Sequence, residues 1–206
     1  MKKQRRMTPF YAFWRALATP IVMALFWYKS RGKENIPAEG GAVLCCNHTS
    51  MTDVAFLVVT CPRQIYFMGK AELFKNPLIG WFMRKMGVFP VDRKSGGAAA
   101  IETAKRIVNE GKLLGIFPEG TRNHEGRPGK AKSGVAIIAA QTGAPVIPAA
   151  VYHKTTGLPI FQKSTMRYGK VISPEEFAMQ DMSRAEIRRI TEFFMAKITE
   201  LWEEGH

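Results

Sequence analysis

His48 is followed five residues later by Asp53, within Asn47-His48-Thr49-Ser50-Met51-Thr52-Asp53. An imidazole with a carboxylate in reach is the minimal kit of a general base. The carboxylate accepts a hydrogen bond from one ring nitrogen, which fixes the tautomer and steadies the imidazolium formed when the other nitrogen takes a proton. In a continuous helix two residues five apart are poorly aligned, so the pair works only if His48 lies in a turn and Asp53 in the first turn of the next helix. Taken alone the spacing is loose, because an aspartate completing a helix cap beside a turn histidine would produce it too. No serine nucleophile accompanies the pair, so the reacting hydroxyl must arrive with a substrate. Cys46, two residues before His48, offers a thiol, yet buried cysteines are ordinarily small apolar filler.

A second constellation is Ile116-Phe117-Pro118-Glu119-Gly120-Thr121-Arg122-Asn123. The Arg122 guanidinium is a fork suited to phosphate, Gly120 lets backbone donors approach a ligand, and Glu119 either holds Arg122 or binds a substrate hydroxyl. A Pro-Glu-Gly turn with a solvent-facing arginine is the bland alternative. Gly87-Val88-Phe89-Pro90-Val91-Asp92-Arg93 puts another guanidinium after an apolar run, and Lys70 in Gly69-Lys70-Ala71-Glu72-Leu73-Phe74 adds a third cation. If the strands preceding Lys70, Arg93 and Arg122 are parallel, these groups converge on one sheet edge with His48 and form a phosphate site beside a base.

The elements needed to position these groups are visible in the pattern. Ala42 to Cys46 is a short, bounded apolar run, as a buried strand should be, and delivers His48 to its carboxyl end. Ser50 and Asp53 then introduce a helix that Pro62 ends. Further strands are expected at Gln64 to Met68, Val88 to Val91, Leu113 to Phe117, Val146 to Val151 and Met166 to Ile172. Helical patterns lie near Leu78 to Lys85, Ala98 to Asn109, Ser133 to Thr142 and Ser183 to Glu203. The alternation predicts a single α/β domain with a mixed, largely parallel sheet flanked by helices.

With 206 residues, 46% of them hydrophobic, the chain supports one domain of this kind. Its formal net charge of +13 calls for an anionic partner or surface. Nucleic acid is disfavoured because the cations are spread along the chain, no nucleic-acid module accompanies them, and Gly126 to Ser133 lacks phosphate-loop spacing. Cys45, Cys46 and Cys61 form no metal-ligand or disulfide pattern, which suits a reducing, cytoplasmic setting without structural zinc.

Residues 1–31 read as a segment apart from 32–206. Basic residues flank a mostly apolar stretch from Pro9 to Tyr28, which carries Phe10, Tyr11, Phe13, Trp14, Trp27 and Tyr28. It lacks a signal-peptide cleavage pattern, and Arg15 and Pro20 interrupt it too early for a membrane span. A pair of helices lying in the plane of an anionic membrane surface is the expectation.

Taken together, Asn47-His48 with Asp53, Gly87 to Arg93, Phe117 to Arg122 and Val146 to Pro148 resemble, in order, the four sequence blocks of the glycerolipid acyltransferase family, whose type member is bacterial 1-acylglycerol-3-phosphate acyltransferase. The resemblance covers residues 42 to 151. It departs at Met51, where an aromatic is common, and at Asn123, where serine is common. It implies that residues 32–206 form a catalytic domain with His48 as base and Asp53 as its orienter. Lys70, Arg93, Glu119, Gly120, Thr121 and Arg122 would bind substrate, with no metal and no bound cofactor. The implied donor is acyl-CoA or acyl-acyl carrier protein, and the implied acceptor is a membrane lipid, 1-acylglycerol 3-phosphate. Sibling acceptors are a neutral lysophospholipid or glycerol phosphate. Acyl carrier protein is a further candidate partner, and the implied location is the cytoplasmic face of the cell membrane, peripheral or monotopic.

Overall fold

The computed structural model describes residues 7–91, 97–154 and 160–205. Its helices are α1 (Pro9–Leu25), α2 (Asp53–Thr60), α3 (Pro77–Lys85), α4 (Ala98–Asn109), α5 (Gly134–Thr142) and α6 (Arg184–Glu203). Its strands are β1 (Trp27–Arg31), β2 (Ala42–Cys46), β3 (Ile65–Lys70), β4 (Val88–Val91), β5 (Leu113–Ile116), β6 (Val146–His153) and β7 (Lys163–Tyr168). The seven strands form one sheet in the order β1-β7-β6-β2-β5-β3-β4.

Strand β2 pairs in parallel with β5 and β6, and β3 pairs in parallel with β5 and β4. Strand β7 runs antiparallel to β6, and β1 follows β7 in parallel. Hence β2 to β6 all point one way, and the expected mixed, largely parallel sheet is what forms. The chain leaves β2 for β3 and β4 on one side, returns to β5, and crosses to β6 on the other side. Such a reversal opens a crevice at the carboxyl ends of the strands, next to β2.

Both faces of the central strands are covered, which is why every residue of β2 and β5 is buried and why these strands read as unbroken apolar runs. Alternation sends Val43 and Cys45 to a cluster with Ile107 of α4, Ile138 of α5 and Phe194 of α6. Leu44 and Cys46 face the opposite layer, with Leu57 of α2, Ile65 and Ile147.

The N-terminal segment differs from the expected helix pair. One helix, α1, runs through Pro20 and stops at Leu25, and Trp27 and Tyr28 open the edge strand β1. Aromatic residues suit a strand as well as a lipid interface, and here pairing with β7 decides for the strand. Residues 27–31, grouped by sequence with the N-terminal segment, are therefore part of the same sheet as the site. Arg15 does not merely interrupt α1: its Nε and Nη2 donate to the carbonyls of Val58 and Val59 at 3.0 and 2.9 Å, capping the carboxyl end of α2. Val22 of α1 and Phe26, the residue after it ends, pack with Phe56 and Val59 of α2. Among the described residues no helix is long and apolar enough to cross a membrane.

Strand β7 also begins earlier than its apolar pattern suggests. Pairing with β6 starts at His153 and Ser164, so the polar residues Lys163 to Thr165 are in the ladder, and Ile172 keeps only an isolated bridge to Val146.

Candidate active site

At the end of β2 the Asn47 side chain closes two hydrogen bonds with the backbone of β6. Its Nδ2 donates to Val151 O at 2.9 Å, and its Oδ1 accepts from Val151 N at 2.8 Å. This amide stands in for a ladder pair and lets the chain leave the sheet at His48. The loop after β5 then holds His48 by its main chain: His48 N donates to Glu119 Oε1 at 3.3 Å, and His48 O accepts from Asn123 N at 2.7 Å. Its ring stacks on Phe117, with centroids 4.1 Å apart.

Asp53 is fully buried at the first position of α2. Its Oδ2 accepts from His48 Nδ1 at 2.9 Å and from the backbone N–H groups of Thr49 and Ser50 at 2.7 and 2.8 Å. Its Oδ1 accepts from His153 Nε2 at 2.8 Å. One carboxylate thus both meets the His48 ring and ties down the turn that leads into α2. Burial pushes its pKa up, but hydrogen bonds from His153, His48 and Ser50 outweigh that, and the net result lies below the usual carboxylate value. An ionised Asp53 only accepts, so Nδ1 of His48 carries hydrogen and Nε2 is left as the free base. The His48 side chain is 17% exposed, enough for a substrate atom to approach.

Glu119 does not hold Arg122. Its Oε1 accepts from His48 N and from Gly129 N at 3.2 Å, so it clamps two backbone segments, while Oε2 is buried with no partner among the described residues. Burial raises its pKa. Arg122 is exposed and makes no ion pair among the described residues; the backbone N–H of its neighbour Asn123 donates to His48 O, which ties the loop that carries Arg122 to His48. Asn123 also organises the following loop, donating to Arg127 O at 2.9 Å and accepting from Glu125 N at 3.0 Å. Thr121 is exposed, as is Met51 at 72%.

At Gly120, φ is +72°, where a side chain is strained, and a Cβ would come within 3.2 Å of Lys132 Nζ. The Lys132 side chain therefore lies across the loop that carries Arg122. Lys70 ends β3 at the same sheet edge, exposed and 3.6 Å from Glu72. Arg93 lies outside the described residues; β4, which precedes it, ends at that edge too. Cys46 is 1% exposed, and its thiol is pushed up first by burial and then by Asp53, which makes it a poor nucleophile.

His153 is the site residue that sequence reasoning missed. The expected strand stopped at Val151, but β6 continues two residues, and alternation then puts His153 on the same face.

A protein-family profile described as Acyltransferase matches residues 28–152, the stretch holding His48, Asp53 and the Phe117–Arg122 loop. The 1-acyl-sn-glycerol-3-phosphate acyltransferase of Bacillus subtilis is 39% identical over 176 residues, covering 84% of this chain and 87% of that protein. A protein of the same name from Borreliella burgdorferi is 33% identical over 124 residues, but there the match spans only 50% of the relative. Among solved structures, the 1-acyl-sn-glycerophosphate acyltransferase PlsC from Thermotoga maritima superposes with a TM-score of 0.70 at 25% identity, over 93% of this chain and 78% of that one. The profile takes in more than half of the sequence and the Bacillus match runs along most of both chains, and on that ground the chain belongs to the acyltransferase family.

Proposed function

We propose that the protein transfers a fatty acyl group from an acyl thioester, acyl-CoA or acyl-acyl carrier protein, to the sn-2 hydroxyl of 1-acylglycerol 3-phosphate, giving phosphatidic acid. The observation that carries the reading is the free Nε2 of His48, held by an ionised Asp53, beside a cationic sheet edge. Nε2 takes the hydroxyl proton as the oxygen attacks the thioester carbonyl. The tetrahedral oxyanion collapses, the C–S bond breaks, and the departing thiolate receives the proton from the His48 imidazolium. Asp53 stabilises that cation throughout. The test is acyl transfer from a labelled thioester to 1-acylglycerol 3-phosphate in mixed micelles. Phosphatidate is the expected product; none with either class of thioester would overturn the acceptor.

Arg122, Lys132 and Lys70 would grip the acceptor phosphate. Arg122→Ala is expected to raise the acceptor KM roughly 10- to 100-fold, the scale of a charge-assisted hydrogen bond, while sparing the donor KM. Equal effects on both constants would argue against the phosphate assignment.

The protein also fits a peripheral or monotopic place at the cytoplasmic face of the cell membrane. Phe13, Leu17 and Ile21 recur every fourth residue on the outer side of α1 and are 62, 48 and 53% exposed. Phe10 of α1 meets Trp81 of α3 at 5.5 Å, and Leu78 and Trp81 of α3 are themselves exposed, so both helices present apolar surface. Apolar side chains on this side, with a chain charge of +13, suit a surface of anionic lipid. The double variant Leu17→Asp, Ile21→Asp is expected to leave vesicles containing phosphatidylglycerol while keeping its Tm. The wild type should co-sediment with them and resist release by salt alone; release of both proteins by salt would reduce the contact to charge.

A further inference from the structure

The mechanism above uses one imidazole and one carboxylate, yet the structure supplies a second imidazole that it leaves unused. His153, at the end of β6, has a side chain only 4% exposed, and its Nε2 lies 2.8 Å from Asp53 Oδ1. Its other nitrogen, Nδ1, lies 2.8 Å from Ser164 Oγ, on the β7 residue paired with it across the hairpin. The Phe56 ring of α2 is 5.4 Å away. Asp53 accepts only, so Nε2 carries hydrogen, and Nδ1 is left to pair with the Ser164 hydroxyl. Four side chains thus form one chain of hydrogen bonds, Ser164 with His153 and His153 with Asp53, with His48 donating to the far oxygen of the same carboxylate.

A buried polar pair made only for packing would be matched or bettered by apolar side chains of the same shape, because desolvating it costs free energy. The pair ends on the carboxylate that serves the base. Oδ2 already receives three donors, whereas among the described residues Oδ1 receives only His153. Without His153, Oδ1 would be a buried carboxylate oxygen with nothing to accept from. That favours rotation of the carboxylate or its protonation, and either would spoil the contact with His48.

We propose that His153, its ring oriented by Ser164, is a positioning residue for the base: it locks the Asp53 carboxylate so that Oδ2 faces His48. The inference rests on the reading of His48 as the base. The experiment compares wild type with His153→Leu, His153→Gln and Ser164→Ala, following the His48 ring by 15N-edited NMR against pH and kcat and KM in the transfer assay. In His153→Leu the carboxylate turns away or takes a proton and the His48 imidazolium loses its counter-ion, so the ring titration and the acid limb of kcat/KM both move to lower pH. There kcat should fall about tenfold or more, with the acceptor KM within about twofold. Glutamine, which keeps a side-chain N–H for Asp53, should restore the titration, and Ser164→Ala should move it in the same direction by less. A folded His153→Leu with titration and kcat unchanged would reduce His153 to core packing. Should that variant fail to fold, an unmoved titration in Ser164→Ala, with kcat equal to wild type, overturns the proposal. The NMR readout needs no substrate, so an enzyme inactive on 1-acylglycerol 3-phosphate would sink the acceptor assignment and leave this test standing.

Discussion

His48→Ala is expected to lower kcat about 10²- to 10⁴-fold, the usual contribution of a general base, while the protein keeps a Tm close to wild type. The reason for expecting a folded variant lies in how His48 is held. Its main chain, bonded to Glu119 through N and to Asn123 through O, survives the substitution. Asp53 loses one donor of four but keeps Thr49 N and Ser50 N on Oδ2 and His153 on Oδ1. What disappears is the stack on Phe117 and the proton acceptor itself. Measured with saturating thioester and acceptor, the loss should fall in kcat rather than in either KM, because the ring meets the substrate through a proton that moves only in the transition state. Incubation of either protein with labelled thioester alone should leave no covalent label. The reaction as derived passes the acyl group directly to the acceptor, and the thiol of Cys46 beside the site is buried. Activity within about tenfold of wild type in a folded His48→Ala would remove His48 from the role.

Much of this arrangement is legible in the sequence because it is local. An apolar run, a turn and a capped helix put His48 and Asp53 within five residues of one another, and the same strand-then-loop grammar places Glu119 to Arg122 after β5. The convergence of β2, β3 and β5 followed from reading them as parallel. The remainder depends on partners far along the chain. His153 is separated from Asp53 by 100 positions, and its role appears only when β6 is seen to lie beside β2. Strand β1 was hidden because its aromatic residues fit a lipid interface equally well, and only pairing with β7 distinguishes the two. Glu119 was expected to hold Arg122 or to bind a substrate hydroxyl; within the fold its Oε1 meets backbone N–H groups, which carry no residue signature. Lys132 reaches Gly120 because the intervening loop turns back, a path set by Asn123 rather than by charge pattern.

Asp53→Asn separates the electrostatic part of the dyad from its geometry. The amide has the shape of the carboxylate but only one acceptor oxygen. With that oxygen toward Thr49, Ser50 and His48, the turn survives and Nδ1 of His48 still has its acceptor. The NH₂ group then faces His153, whose ring can respond by accepting at Nε2 and donating from Nδ1 to Ser164 Oγ. The fold is therefore expected to persist at reduced stability. Catalysis suffers more, since a neutral amide cannot stabilise the imidazolium, and kcat should drop by about 10²-fold or more. The pH dependence of stability gives an independent check. The Asp53 carboxyl lies below its ordinary value in the fold, so its contribution is complete above the unfolded value of about 3.9 and is lost as pH falls through the lower folded value. Asparagine has no such titration, so the Tm gap between wild type and Asp53→Asn should be widest near neutrality and narrow below about pH 4. Glu119 acts with the opposite sign: burial raises its pKa, so its contribution is complete below the unfolded value and is lost as pH rises through the raised one. Glu119 is present in both proteins, so the part of its contribution that comes from burial cancels in the difference between the two calorimetric curves, and what remains reports Asp53 together with its charge acting on Glu119. Parallel curves from neutrality into acid would mean that Asp53 is not held ionised by its donors, and the tautomer assigned to His48 would fall with it.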